Sequence, residues 1–166
     1  MNYIFTTIYP KSKKYFDEFI DSLNYQSEKT FKIFIVLNGT SLNPNQKKKI
    51  KKNFIIYKTN TTWQKARIEG LKKLLKKNPK NIIFADSDDI LHKDRIKFSL
   101  NKIQKYDFIV NNCYLFQKTI KKKEIWLKRK EKKIELNQIK YSNFVGCSNT
   151  TIRGNAMKKI IDKINV

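Results

Sequence analysis

The chain is poor in the residues that staple a fold or build a metal cluster. Of its 166 residues, one is histidine, two are cysteine, three are proline and four are glycine. Cys113 and Cys147 have neither zinc spacing nor the number needed for a disulfide framework. They read as buried thiols in a reducing compartment. His92 stands alone and reads as a structural or solvent-facing group. No apolar run approaches the ~18–20 residues of a membrane span. The chain opens directly into a strand-like YIFTTIY, with no charged leader and no small-residue cleavage site, so no secretory signal is expected. There are no internal repeats, and the lysine runs are too short to count as separate low-complexity segments. A cytoplasmic location is expected.

Acidic residues are also scarce: 14 Asp and Glu face 37 Lys and Arg, a formal net charge of +23. Such a surface suggests nucleic acid or anionic membrane as partner. Lysine, however, outnumbers arginine roughly eight to one. Nucleic-acid readers draw on arginine for bidentate contacts to bases and phosphates. Part of the lysine excess is what an AT-rich coding sequence gives whatever the function. No helix-turn-helix, zinc or RNA-recognition motif is present, so no nucleic-acid partner is expected. What remains of the charge predicts attraction to phosphates and to anionic lipid head groups, hence peripheral contact with the inner membrane face.

What the chain does have is an apolar fraction of 40%, rich in Ile and Phe, enough for one globular domain with a real core. Residues 3–9, 31–37 and 82–85 are short apolar runs that read as buried strands, and residues 54–57 read as a further strand. Between them lie helical patterns. Phe16, Phe19, Ile20 and Leu23 mark a helix over residues 12–26, and Asn43-Pro44 opens a short lysine-rich one. Trp63, Ala66, Gly70, Leu71 and Leu74 line one face of a third, which Asn78-Pro79 stops. Further on, residues 92–105 read as a helix, 107–116 as one long strand and 118–133 as a charged strand and loop. Residues 144–153 read as strand, turn, strand, and 154–164 as a helix. This alternation predicts an α/β domain with a mostly parallel sheet and helices on both faces.

Ligands of such sheets bind beyond the carboxyl ends of the strands. The segments 6–10, 38–41 and 86–89 all fall on that edge. The last of them is the chemical centre of the chain. In NIIFADSDDILHKDR, a buried strand ends in Asp86, Asp88 and Asp89, with only Ser87 among them. Three carboxylates at the mouth of a strand repel one another unless a cation sits there. Lysine could supply it, but a divalent metal that also holds a phosphate fits the geometry better.

With these pieces in order, the chain resembles the family 2 glycosyltransferases of the GT-A fold. FADSDDILHKDRI is similar to the family's apolar strand followed by Asp-x-Asp-Asp and a helix start. Residues 65–71, KARIEGL, are close to the Ala-Arg-Asn-x-Gly-Leu helix, and residues 143–153 resemble the acceptor-side strand pair. The resemblance implies a nucleotide-sugar-binding and metal-binding half over residues 1–105 and an incomplete acceptor-side half over residues 106–166. It further implies that Asp88 and Asp89 hold Mn²⁺ or Mg²⁺, and that Asp86 holds the ribose or the metal shell. Thr6, Thr7 and Tyr9 would flank the base, and Arg67 would support the aspartate loop or reach a phosphate. The partners implied are a nucleotide-sugar donor, a UDP-sugar by preference, and a glycan or lipid-linked acceptor.

The sequence departs from the family pattern in two places. Where the family carries an acidic residue after its second strand, this chain has Leu37-Asn38-Gly39-Thr40. Asn38 would pair with a base edge through a different donor and acceptor pattern. The inverting family's Glu-Asp pair, whose carboxylate deprotonates the acceptor hydroxyl, has no match before Val166. The sequence therefore supports two expectations, a metal-assisted sugar transferase or a truncated donor-binding fragment without turnover. No catalytic base is assigned.

Overall fold

The computed structural model describes residues 1–116, 123–127, 133 and 146–164. Four strands run parallel: β1 (Asn2–Ile8), β2 (Phe31–Asn38), β3 (Phe54–Thr59) and β4 (Asn81–Phe84). They alternate with helices α1 (Phe16–Asn24), α2 (Pro44–Lys49) and α3 (Trp63–Leu75). After β4 come α4 (Arg95–Lys102), β5 (Phe108–Val110), β6 (Cys113–Phe116), β7 (Lys123–Leu127), β8 (Thr150–Arg153) and α5 (Gly154–Ile161). The main sheet has the order β3-β2-β1-β4-β8-β5, in which β8 runs antiparallel to both of its neighbours. The expected mostly parallel sheet is therefore present, with an antiparallel flank.

Strands buried on both faces need apolar side chains on both, and β1 and β2 supply them. Ile4, Ile8, Ile33, Ile35 and Leu37 pack with Phe16, Phe19, Ile20 and Leu23 of α1 and Ile96 of α4. On the opposite face Tyr3, Phe5, Phe34 and Val36 pack with Ala66, Leu71 and Leu74 of α3 and Met157 and Ile161 of α5. Each fully buried Phe or Ile contributes about 1.5–3 kcal/mol of transfer free energy. Gly70 lets α3 come down onto the sheet, since a Cβ there would lie 2.4 Å from Val36 Cγ2 and 3.2 Å from the Phe5 ring. Gly154 is tighter still: its Cβ would lie 1.9 Å from the Pro79 carbonyl oxygen.

Several boundaries differ from the sequence pattern. The helix expected over 12–26 starts at Phe16, after a 3-10 turn over Lys13–Tyr15. The helix expected from residue 92 starts at Arg95, because residues 92–95 close a turn in which Arg95 N–H donates to the His92 carbonyl at 2.9 Å. The helix expected over 154–164 ends at Ile161. The long strand expected over 107–116 is two strands. β5 pairs with β8 in the main sheet, whereas β6 pairs with β7 in a separate ribbon. Asn111 and Asn112 lie between them, and Asn111 N–H donates to the Asn149 carbonyl at 2.8 Å. The first strand expected within 144–153 lies outside the described residues, as does most of the charged stretch 118–133. Among the described residues no helix is long and apolar enough to cross a membrane.

Candidate functional site

Because β1, β2 and β4 are parallel, the segments that follow them leave from one edge of the sheet. β8 is antiparallel, so the turn that precedes it, residues 146–149, arrives at that same edge. The topology thereby brings residues 6–12, 85–89 and 146–149 together. Three bonds join them. Ser87 Oγ donates to the Thr7 carbonyl at 3.0 Å and lies 2.8 Å from Ser12 Oγ. Asp86 N–H donates to Ser148 Oγ at 3.1 Å.

Arg67 closes the site from α3. Its Nη2 pairs with Asp86 Oδ1, and its Nη1 donates to Cys147 Sγ at 3.1 Å. Arg67 thereby ties α3 to the aspartate loop. Thr6, Thr7, Arg67, Asp86 and Cys147, with Phe5 and Phe84 behind them, line a small pocket. The hydroxyls of Thr6 and Thr7 are buried without a hydrogen-bond partner among the described residues. A buried hydroxyl left unpaired is unfavourable.

The three aspartates are not equivalent. Asp86 is half-buried against Arg67, whereas Asp88 is exposed and Asp89 is half-buried. Burial raises the Asp86 carboxyl above its ordinary range; Arg67 opposes the rise, and Asp89 and Asp88 reinforce it. Burial also raises Asp89, opposed by a hydrogen bond with Ser148 and reinforced by Asp88. On Arg67 burial acts to lower the pKa, but Asp86 leads the groups that outweigh it and raise it. The cation for Asp86 is thus an arginine of the chain. Asp88 and Asp89 are left with mutual repulsion and no cation among the described residues.

No group of three or more His, Cys, Asp and Glu side chains that could hold a metal ion forms among the described residues. Two carboxylates are nonetheless what Mg²⁺ takes from a protein when phosphate and water supply the rest of its shell. The hard oxygen donors of Asp88 and Asp89, at an edge open to solvent, fit such an ion.

Asn38 and Tyr9 make contacts within the protein. Asn38 Nδ2 donates to the Thr61 carbonyl at 2.9 Å, and its Oδ1 accepts from Thr61 N–H at 2.9 Å. This amide fastens the β3–α3 connection to the end of β2. Tyr9 is half-buried, and its hydroxyl donates to the Trp63 carbonyl at 3.2 Å. Burial raises its pKa against the effect of Arg67. Trp63, expected on the packed face of α3, is 55% exposed, with the Arg67 guanidinium 5.6 Å from its ring centre.

Nothing in the sequence pattern marks Ser12, Ser87, Cys147 or Ser148 as part of the site. Ser87 reads as a spacer between aspartates and is one of the most buried polar residues, at 2% exposure. A serine flanked by Asp at the end of a buried strand was the one signal available. Arg95 is buried as well. It bonds to the side chains of Ser99 and Thr151 and the Thr150 carbonyl, and burial lowers its pKa to about 10. It ties α4 to β8 behind the aspartate loop.

A mostly parallel sheet between two helical layers, with an acidic loop after β4 at its carboxyl edge, is the architecture of the GT-A class of α/β domains. Residues 3–160 match Glycosyl transferase family 2, and the chain belongs to that family. Its fold is similar to that of S. aureus TarS 1–349, with a TM-score of 0.69 at 23% identity, over 95% of this chain and 48% of that one. TarS 1–349 in complex with UDP-GlcNAc gives a TM-score of 0.70 at 22% identity, over 95% and 46%. A 4-diphosphocytidyl-2C-methyl-D-erythritol synthase from Anaerococcus prevotii gives 0.65 at 11%, over 100% and 78%. At these identities the likeness is one of fold. The chain spans about half the length of the TarS 1–349 structures. No curated protein matches it.

Proposed function

We propose that the chain binds a nucleotide-sugar donor, a UDP-sugar by preference, at the carboxyl edge of β1 and β4, and moves the sugar to a glycan or lipid-linked acceptor. Residues 1–105 form the donor and metal half, and residues 106–166 belong to the acceptor side. The observation that carries the reading is the division of labour among the aspartates. Arg67 neutralises Asp86, which leaves Asp88 and Asp89 as the carboxylates available to a cation and its diphosphate. Membership of Glycosyl transferase family 2 supports it.

Asp88 and Asp89 would hold Mn²⁺ or Mg²⁺, with Asp86 and Arg67 fixing the loop that carries them. Once bound, the ion supplies Lewis-acid stabilisation of the charge that develops on the departing nucleoside diphosphate. Thr6 and Thr7 present buried hydroxyls to the nucleoside, and Tyr9 and Trp63 stand at the rim. Arg67 holds a positive charge beside the phosphate path. The positive surface away from the site makes peripheral contact with an anionic membrane.

The test is release of nucleoside diphosphate from a panel of UDP- and GDP-sugars with Mn²⁺, with and without oligosaccharide and lipid-linked acceptors. Acceptor-dependent release, abolished in Asp88→Ala, is the expected result. Donor binding without release in any combination would remove transfer from the proposal and leave a donor-binding domain.

A further inference from the structure

Residues 85–94 belong to neither helix nor strand, yet they carry the three aspartates. A segment outside helix and strand has no ladder to hold it, so its place depends on bonds from the elements around it. Among the aspartates it is held by Ser87, which bonds to the Thr7 carbonyl and to Ser12. Beyond them it is held by the end of α1. Ser22 Oγ accepts from Leu91 N–H at 3.2 Å and donates to the Phe19 carbonyl at 2.7 Å. Gln26 Nε2 donates to the His92 carbonyl at 2.9 Å and to the Ser22 carbonyl at 3.0 Å, and its Oε1 accepts from Ile96 N–H at 3.2 Å. Ser27 N–H donates to the Lys93 carbonyl at 2.8 Å.

Gln26 is fully buried, at 0% exposure, just past a helix whose inward residues include Phe16, Phe19, Ile20 and Leu23. An apolar side chain would fill that place without burying a polar group. A buried amide is unfavourable unless its polar atoms are bonded, and the bonds Gln26 makes beyond α1 go to His92 and Ile96. A glutamine is therefore explained by the segment it holds and not by the core it fills. Asp88 and Asp89 give that segment a reason to be held. Like charges on adjacent residues push apart, and a loop free to relax would separate them. Bonds on both sides keep the two carboxylates together, so that a cation need not order the loop as it binds.

We propose that Gln26 and Ser22 are positioning residues for the aspartate loop: they hold its exit against α1 and keep Asp88 and Asp89 preorganised for a divalent cation. The inference rests on the assignment of Asp88 and Asp89 to the metal. Gln26 and Ser22 act on the cation only through the backbone of residues 91–96.

The test compares the full chain with Gln26→Met, which keeps the length of the side chain and removes its amide, and with Ser22→Ala. Met157→Ala, a core change on the opposite face of the sheet, controls for lost stability. Urea unfolding ranks the variants and sets a temperature at which each is folded. Calorimetry of UDP over a series of Mn²⁺ concentrations reads the metal. Gln26→Met should raise the Mn²⁺ concentration for half-maximal UDP binding by about tenfold or more. Ser22→Ala should raise it by less, and Met157→Ala should leave it unmoved. Hydrogen exchange in EDTA reads the loop without metal: the amides of residues 86–89 should exchange faster in Gln26→Met and not in Met157→Ala. If Gln26→Met does not fold, Ser22→Ala decides by the same two readouts. An unmoved Mn²⁺ requirement, unchanged exchange at residues 86–89, or an equal effect in Met157→Ala would overturn the inference alone. Wild-type UDP binding indifferent to Mn²⁺ would overturn it together with the metal assignment.

Discussion

Arg67 on α3 and Asp86 after β4 form an ion pair that joins two elements 19 residues apart, and the same guanidinium reaches Cys147 beyond it. One side chain therefore sets where the aspartate loop sits relative to both the helix and the turn before β8. Arg67→Ala leaves a half-buried carboxylate without its cation and should lower the unfolding free energy by about 1.5–3 kcal/mol. Arg67→Lys should recover only part, because an ammonium cannot hold Asp86 and Cys147 in one plane. Urea unfolding measures both. Arg67→Ala combined with Asp86→Asn should cost less than the sum of the two single changes.

The Asp89 carboxyl is raised by burial, and this has a consequence for pH. A carboxyl with a raised folded pKa binds its proton more tightly folded than unfolded. Stability then falls as pH climbs from the unfolded value, about 3.9, through the folded one, and stays at the lower level above it. Asp89→Asn should melt at or above the wild-type temperature at pH 7 in EDTA, and the gap should close below about pH 4. Mn²⁺ should raise the wild-type midpoint and leave that of the variant unmoved. Thermal unfolding in EDTA and in Mn²⁺ tests both parts.

Gly154 starts α5 against the backbone of Pro79. A carbonyl oxygen cannot swing aside as a flexible side chain can, so Gly154→Ala must shift α5 itself. Destabilisation of about 1–3 kcal/mol or more is expected by chemical denaturation. Gly70→Ala meets side chains of Val36 and Phe5 rather than backbone, at 2.4 and 3.2 Å against 1.9 Å, and should cost less.

Much of this molecule is legible in the chain because β1, β2 and β4 are unbroken apolar runs separated by helices of the right length. Parallel pairing then fixes which edge carries the loops, and with it the position of the aspartates. The partners of individual polar groups were not legible. Asn38 faces the site edge by its place at the end of β2, yet the backbone of Thr61 comes close enough to take both ends of its amide. Trp63 falls on the helical spacing of Ala66 and Gly70, but periodicity gives a direction and not the extent of the sheet beneath. The split between β5 and β6 follows from pairing with β8, some forty residues later.

Trp63 offers an optical test of the site's rim. With Trp126→Phe removing the second indole, emission should be that of a solvated tryptophan, since the ring is largely exposed. Addition of UDP with Mn²⁺ should change its intensity in a saturable way. A signal indifferent to nucleotide, while calorimetry shows binding, would place the nucleoside away from α3.

The central claim is that Asp88 and Asp89 bind a nucleoside diphosphate through a divalent cation. Isothermal titration calorimetry with UDP in Mn²⁺ and in EDTA addresses it most directly. The account predicts binding in Mn²⁺ that weakens by about tenfold or more, roughly 1.4 kcal/mol, in EDTA and in Asp88→Ala. Equal affinity with and without the metal, or an Asp88→Ala protein that binds as the wild type does, would contradict it.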